Sequence, residues 1–121
     1  MSKRILAIED QEDNRRILRD LLTAKGYTLV EATTGEEGLA AAERERPDLI
    51  LMDIQLPGLD GYEVTRRIKA NPELRHIPII AVTSYALSGD EQKAAAAGCD
   101  GYVTKPFSPR QLLAKIEEYL G

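Results

Sequence analysis

Acidic side chains stand at the ends of two short apolar runs. Glu9 and Asp10 follow the run at residues 5–8, and Asp53 follows the run at residues 49–52. Taken singly, Asp10 could cap a helix, Glu9 could sit at the positive end of a helix dipole, and Asp53 could open a turn. If folding clusters them, carboxylates about 4 Å apart repel by roughly 4 kcal/mol at an effective dielectric constant near 20, so the cluster needs a cation.

A hydroxyl and an ammonium follow two later runs. Thr83 and Ser84 come after residues 79–82, and Lys105 comes after residues 101–104. Carboxylate oxygens without thiolate or imidazole favour Mg²⁺ or Mn²⁺ over zinc or copper, and Mg²⁺ commonly recruits phosphate oxygens. Acids beside a lysine and a hydroxyl therefore indicate a site that receives a phosphoryl group.

Asp53 is the candidate nucleophile. The sequence contains neither G-x-x-x-x-G-K-[ST] nor G-x-G-x-x-G, so we do not expect the chain to bring its own ATP. Carboxylates form aspartyl phosphates, and a divalent ion beside Asp53 would neutralise the charge of the incoming group. Thr83 would donate a hydrogen bond to a phosphoryl oxygen, and Lys105 would pair with an acid or with the phosphate.

Five apolar runs alternate with five segments of helical period. The predicted strands are 5–8, 27–32, 49–52, 79–82 and 101–104, and the predicted helices are about 11–25, 35–46, 61–70, 90–97 and 109–120. Strands that are apolar throughout are buried on both faces, and βα repetition implies right-handed crossovers around a parallel sheet. We expect a doubly wound α/β fold whose ligands bind beyond the carboxyl ends of the strands, where these side chains would meet.

The helix boundaries have local signals of their own. Gly26 and Gly98 are expected helix stops. Three helix starts show capping-box patterns, at Thr34 to Glu37, Ser88 to Glu91 and Ser108 to Gln111. The apolar stripe expected to face the sheet in the first helix is Ile17, Leu18, Leu21 and Leu22.

Composition limits the classes of function. The 121 residues suit one domain, residues 1–121, with a net charge of −4 from 16 basic and 20 acidic residues. Because Lys and Arg are scattered, direct nucleic-acid binding is not expected. A single Cys99 and a single His76 exclude an internal disulfide and a multi-histidine metal site. The apolar run at residues 5–8 is too short for a signal peptide or a membrane span, so we expect a cytoplasmic protein without a membrane partner.

Four motifs resemble the receiver domains of two-component response regulators. They are Ile-Leu-Ala-Ile-Glu-Asp at 5–10, Leu-Met-Asp-Ile-Gln-Leu-Pro-Gly-Leu-Asp-Gly at 51–61, Ala-Val-Thr-Ser at 81–84 and Val-Thr-Lys-Pro-Phe at 103–107. The resemblance covers the whole chain, and four motifs in order and at the expected spacing are far more specific than one. It implies a three-layer, flavodoxin-like (βα)₅ fold with a five-stranded parallel sheet in the order 2-1-3-4-5.

The resemblance also implies a phosphoryl-accepting site. Asp53 would take its phosphoryl group from a sensor histidine kinase or a histidine phosphotransfer protein, and Lys105, joined to Pro106 by a cis bond, would contact the phosphate. The Mg²⁺ ligands that it implies are Glu9, Asp10, Asp53 and the backbone carbonyl of Gln55, of which Asp10, Asp53 and Gln55 bind directly. Many family members have Asp where this chain has Glu9, so we expect Glu9 to reach the metal through water.

A phosphorylation switch is the function that follows from the resemblance. Thr83 would move toward the phosphate and Tyr102 would turn inward, although Tyr102 alone could be an ordinary half-buried strand tyrosine. A downstream protein would bind the changed surface of the fourth helix, fifth strand and fifth helix, around Tyr85, Ala86, Tyr102, Arg110 and Gln111. The chain would then be a switch that catalyses only its own phosphorylation and dephosphorylation, expected as a monomer with dimerisation left open.

Other functions remain open at this stage. The chain could be the receiver portion of a longer regulator with an output domain. It could be an aspartate-nucleophile phosphatase, although Gln55 stands where such enzymes place a second acid. A flavin carrier is a third alternative, but the acidic first loop would repel a flavin phosphate.

Four further residues have side chains that could react or bind a phosphodonor. We expect His76 to be a surface loop residue and Cys99 to be a buried, inert thiol. Arg15 and Arg16 follow the acidic pair and could be ordinary helix-surface charges or could recognise the phosphodonor.

Overall fold

The computed structural model describes residues 3–84, 90–106 and 108–120. Within these residues five strands alternate with five helices. In chain order they are β1 (Arg4–Ile8), α1 (Glu12–Ala24), β2 (Thr28–Ala32), α2 (Gly35–Glu45), β3 (Leu49–Asp53), α3 (Gly61–Ala70), β4 (Ile79–Thr83), α4 (Asp90–Ala97), β5 (Gly101–Thr104) and α5 (Pro109–Leu120). The strands form one parallel sheet in the order β2-β1-β3-β4-β5, which confirms the predicted doubly wound fold.

The sheet is covered on both faces, because successive residues of a strand point to opposite sides. Leu6 and Ile8 of β1 belong to an apolar cluster with residues of α2, α3 and α4. Ile5 and Ala7, which alternate with Leu6 and Ile8 along β1, belong to a second cluster with residues of α1 and α5. Each fully buried Leu or Ile stabilises this three-layer arrangement by about 1.5–3 kcal/mol.

Helix α1 buries a narrower stripe than predicted. Leu18 and Leu22 are buried and Leu21 is partly buried against the sheet, but Ile17 is 50% exposed. Including Ile17 in the core was therefore wrong. At 100° per residue, Leu18, Leu21 and Leu22 share one arc of the helix, and Ile17 falls at its solvent edge.

Glycine ends α1 as predicted. Gly26 has φ of 87°, and the paired bonds from Gly26 N to Thr23 O (3.0 Å) and from Tyr27 N to Leu22 O (3.1 Å) form a Schellman motif. The same arrangement ends α4, where Gly98 has φ of 115°. A residue with a Cβ atom would be strained at such φ values, so both stops depend on glycine.

The helix starts follow the capping patterns in part. Thr34 Oγ1 accepts a hydrogen bond from Glu37 N at 3.1 Å, but the Glu37 carboxylate accepts from Thr33 N rather than from Thr34. Ser108 Oγ accepts from Gln111 N at 3.4 Å. The pattern that begins at Ser88 lies outside the described residues.

No helix in residues 3–84, 90–106 and 108–120 combines the length and the apolar character needed to cross a membrane.

Candidate functional site

The carboxyl ends of four strands meet at one edge of the sheet. Glu9 follows β1, Asp53 is the last residue of β3, Thr83 is the last residue of β4, and Lys105 follows β5. The parallel hydrogen-bond ladders continue to these positions, because Glu9 N donates to Ala32 O at 3.0 Å and Lys105 N donates to Thr83 O at 2.7 Å. The backbone therefore sets the relative positions of all four side chains.

Three carboxylates converge at this edge. One oxygen from each of Glu9, Asp10 and Asp53 lies within 4.8 Å of the other two. Glu9 and Asp53 are only 3% and 4% exposed, whereas Asp10 is exposed. The cluster is thus open to solvent on one side. A set of hard oxygen donors with access to water fits Mg²⁺, which binds carboxylates and retains part of its water shell.

Lys105 offsets part of the negative charge. Its Nζ donates to Glu9 Oε1 at 2.6 Å and lies 3.6 Å from Asp53 Oδ2, and its side chain is only 12% exposed. Buried charges are costly unless they are paired. When all three acids are ionised, one ammonium against three carboxylates leaves a formal charge of 1 − 3 = −2, which a divalent cation would neutralise.

The buried acids have pKa values shifted in opposite directions. Burial raises the pKa of Asp53 to about 7, and the hydrogen bond with Glu9 and the negative charge of Glu9 raise it further. The positive charge of Lys105 and the hydrogen bond from Gln55 N act in the opposite direction. Burial also acts to raise the pKa of Glu9, but hydrogen bonds from Lys105 and Asp53 hold this pKa below its usual value. Without a cation, Asp53 is therefore the acid that carries a proton near neutral pH.

Gln55 connects the two strand ends that carry Asp53 and Thr83. Its backbone N donates to Asp53 Oδ1 at 3.0 Å, and its side-chain Nε2 donates to Thr83 Oγ1 at 2.5 Å. Its Oε1 accepts from Ser84 N at 3.0 Å. The resemblance predicts a role only for the backbone carbonyl of Gln55. Its spacing from Asp53 gave no sign that the side chain reaches β4.

Gly61 allows α3 to pack directly on the end of β3. A Cβ atom at this position would lie 2.5 Å from Asp53 O and 2.8 Å from Ile54 Cα, both of them backbone atoms. Asp60 caps α3 by accepting from Glu63 N at 2.9 Å. The sequence predicted a helix beginning at Gly61 but no role for Asp60 or Gly61, although Asp60, with Glu three residues later, is a recognisable capping signal.

Arg15 holds the backbone that carries the acidic pair. Its guanidinium donates to Glu9 O at 2.9 Å, bonds the carboxylate of Glu12, and lies 3.5 Å from Glu31 Oε1. The Arg15 side chain is 13% exposed, whereas Arg16 is exposed. Arg15 is therefore not an ordinary helix-surface charge, which was one of the two roles considered for Arg15 and Arg16. The link between Arg15 and Glu31 was not predicted, because nothing in their spacing shows that α1 and β2 are adjacent.

The predicted switch face is described in part. Tyr102 is partly buried, packs against the apolar cluster and pairs with Ala81 in the β4–β5 ladder. Arg110 and Gln111 are exposed on α5. Tyr85 and Ala86 lie outside the described residues.

The remaining predicted residues lie in varied surroundings. The Lys105–Pro106 peptide bond is cis, which is the isomer that the resemblance implies. His76 is exposed in the α3–β4 connection, away from the acids. Cys99 is partly buried rather than fully buried, with its Sγ 3.7 Å from Thr65 Oγ1, and burial raises the pKa of its thiol.

Comparison with known proteins places the chain in a family. Residues 5–117 match the family model described as the response regulator receiver domain. The chain is 47% identical over 121 residues to the polar-differentiation response regulator DivK of Brucella anthropi, covering 100% of this chain and 98% of DivK. A DivK from Brucella ovis is 46% identical with the same coverage. The chain therefore belongs to the receiver domains of two-component response regulators, as the motifs indicated.

Solved structures agree in fold. A receiver domain of a sensor histidine kinase from Pseudomonas aeruginosa, solved with a magnesium ion coordinated in its active-site cleft, has a TM-score of 0.93 and 38% identity, covering 100% of this chain and 99% of that one. A CheY-like receiver domain protein from Methanospirillum hungatei has a TM-score of 0.92 and 36% identity, covering 99% and 94%. These matches confirm the predicted (βα)₅ receiver fold.

Proposed function

We propose that this chain is a phosphorylation-driven switch of two-component signalling in which Asp53 accepts the phosphoryl group. The donor is a phosphohistidine on a sensor histidine kinase or a histidine phosphotransfer protein. The observation that carries the proposal is the convergence of Glu9, Asp10 and Asp53 within 4.8 Å of one another beside the partly buried ammonium of Lys105. This group of charges suits an acidic nucleophile that has to receive a dianionic group.

The transfer is a displacement at phosphorus. A carboxylate oxygen of Asp53 forms the new P–O bond, the P–N bond to the donor imidazole breaks, and the imidazole leaves with the electron pair and takes up a proton. The residues that would hold Mg²⁺ are Asp10, Asp53 and the backbone carbonyl of Gln55, with Glu9 reaching it through water. The ion would supply charge neutralisation for the phosphoryl oxygens, as supported by the magnesium in the Pseudomonas aeruginosa relative.

Lys105 and Thr83 would receive the phosphoryl oxygens. The Lys105 Nζ is 3.6 Å from Asp53 Oδ2, so it can form a charge-assisted hydrogen bond to an oxygen attached there. Asp53 pairs with Val82 in the β3–β4 ladder, and Thr83 is the next residue of β4. The Thr83 hydroxyl is therefore at the end of the strand that neighbours Asp53. Donation from Thr83 to the phosphate would pull the end of β4 toward β3.

The output would be a changed protein-binding surface on α4, β5 and α5. Tyr102 pairs with Ala81, two residues before Thr83, so a shift at the end of β4 can change the space that the ring occupies. The partner would be a downstream target protein rather than a nucleic acid. We further propose that residues 1–121 form one receiver domain acting in the cytoplasm, and that it catalyses only its own phosphorylation and dephosphorylation.

The phosphatase alternative gains no support from the site. Gln55 occupies the position of the second acid, and its side chain is bonded to Thr83 and Ser84. An amide cannot act as a general acid or base there.

Incubation with acetyl phosphate and Mg²⁺, followed by intact mass measurement, tests the proposal. We expect a gain of one phosphoryl group in the wild type, and no gain after chelation of the metal or in Asp53→Asn. Asp60→Asn, which changes the capping acid of α3, is a matched control and should still be phosphorylated. A wild type that gains no mass, or an Asp53→Asn variant that does, would overturn the proposal.

A further inference from the structure

The Gln55 amide bonds two groups at the end of β4. Its Nε2 lies 2.5 Å from the Thr83 hydroxyl oxygen, and its Oε1 accepts from the backbone N of Ser84 at 3.0 Å. The same residue bonds Asp53 through its backbone N at 3.0 Å. One residue therefore connects the turn after the phosphoacceptor to both the side chain and the backbone at the end of the neighbouring strand.

These bonds fix the end of β4 relative to the turn that follows β3. Thr83 is 1% exposed, so its hydroxyl exchanges little with solvent and depends on protein groups. A movement of Thr83 toward Asp53 carries Ser84 with it, because the two are consecutive. Such a movement therefore displaces both groups that bond the Gln55 side chain.

We propose that the Gln55 side chain holds Thr83 in its resting position and thereby opposes activation in the absence of phosphate. The inference rests on the proposed function, since it concerns the same site. The Thr83 hydroxyl accepts from Gln55 and would donate to the phosphate, so the Gln55 amide opposes activation by fixing the position of the hydroxyl. A hydrogen bond from Thr83 to a charged phosphoryl oxygen is roughly twice as strong as a neutral one, so it can overcome this restraint, and unphosphorylated protein stays in the resting arrangement.

Removal of the amide should make the activated arrangement easier to reach. Losing two neutral hydrogen bonds from the resting state alone shifts a two-state equilibrium by at least roughly fivefold. Gln55→Met keeps the length of the side chain and the backbone carbonyl but cannot bond Thr83 or Ser84. We therefore expect two effects of opposite sign: lower stability of the resting protein and tighter binding of a phosphoryl mimic.

Titration with beryllofluoride at saturating Mg²⁺, followed by calorimetry, measures the second effect, and urea denaturation without beryllofluoride measures the first. We expect Gln55→Met to bind beryllofluoride at least roughly fivefold more tightly than the wild type while unfolding at a lower urea concentration. Gln55→Asn, whose amide is one methylene too short to bridge, should show the same two directions. Glu43→Met also replaces a polar side chain by methionine, at an exposed position of α2 outside the α4–β5–α5 surface, and should match the wild type.

The outcomes separate this inference from the proposed function. If the wild type binds beryllofluoride but the Gln55 variants bind it equally or more weakly, Gln55 does not restrain Thr83 and the inference fails alone. If the wild type does not bind beryllofluoride, the proposed function fails and the inference fails with it. A side chain with a merely structural role would lower stability without improving the affinity for beryllofluoride.

Discussion

Replacement of Asp53 by Asn should stabilise the fold when no divalent cation is present. The Asp53 carboxyl is 4% exposed, lies against Glu9, and has its pKa raised from 3.8 to about 7. The folded protein therefore binds this proton more tightly than the unfolded chain does. Between these two pKa values the stability of the wild type falls as pH rises, because the buried acid must ionise beside other carboxylates.

The size of the effect follows from the shift. About three pKa units at 1.36 kcal/mol each give roughly 4 kcal/mol as an upper bound at and above pH 7. Since the cluster is open to water on the side of Asp10, screening reduces this figure, and we expect about 1–2 kcal/mol. An Asn side chain would still accept from Gln55 N and could donate to Glu9, so most of the local hydrogen bonding would remain.

Urea denaturation followed by circular dichroism, in EDTA at pH 5, 6, 7 and 8, measures this difference. We expect the stability advantage of Asp53→Asn at pH 5 to be less than half of its full size, to grow up to about pH 7 and to level off by pH 8. Asp10→Asn is the matched control, and because Asp10 is exposed its gain should be smaller. An Asp53→Asn protein that is less stable than the wild type at pH 8, or an advantage that does not change with pH, would refute this reasoning.

Three further changes have expected outcomes. Gly61→Ala should lower the free energy of unfolding by about 3 kcal/mol, because its Cβ would meet backbone atoms at 2.5 and 2.8 Å. Gly101→Ala should cost less, because there the nearest atoms are side-chain atoms 3.3 Å away; urea denaturation compares the two variants, and equal losses would contradict the steric argument. Cys99 should react slowly with a disulfide reagent at pH 8, because burial raises the pKa of its thiol, and the reaction rate should increase above pH 9. A rate at pH 8 equal to that of the urea-unfolded chain would be incompatible with this burial. Glu31→Gln should destabilise the protein at pH 7, because the hydrogen bond from Arg19 lowers the pKa of Glu31 in the folded protein. This stabilisation exists above the unfolded pKa and is lost as pH falls through the folded pKa, so the variant and the wild type should become equally stable in acid. Melting temperatures measured from pH 7 to pH 3 test this, and a difference that stays constant would contradict it.

The covered parallel sheet could be predicted because its central strands are apolar, whereas the strand order came from the resemblance to receiver domains. Every residue of β3 and β4 is buried, and such continuous runs specify a sheet covered on both faces. The ends of these strands were less well predicted. Asp53 and Thr83 are polar, so they were placed after the strands, whereas their backbones continue the ladders.

The members of the site were predictable, but their mutual contacts were not. Strand ends converge in any parallel α/β sheet, so the meeting of Glu9, Asp53 and Lys105 follows from chain order. The reach of the Gln55 side chain to Thr83 depends on rotamers and on the path of the turn after β3, which no sequence spacing encodes. For the same reason, the position of Ile17 at the solvent edge required the orientation of α1.

We propose that Glu9, Asp10 and Asp53 together hold one divalent cation at the carboxyl edge of the sheet. The most direct measurement is a titration of isotope-labelled protein with Mn²⁺, which broadens the amide resonances close to it. We predict strongest broadening at residues 9–10 and 53–55, reversal by excess Mg²⁺, and loss of the effect in Asp10→Asn and Asp53→Asn. Broadening centred elsewhere, or unchanged in these two variants, would contradict the account.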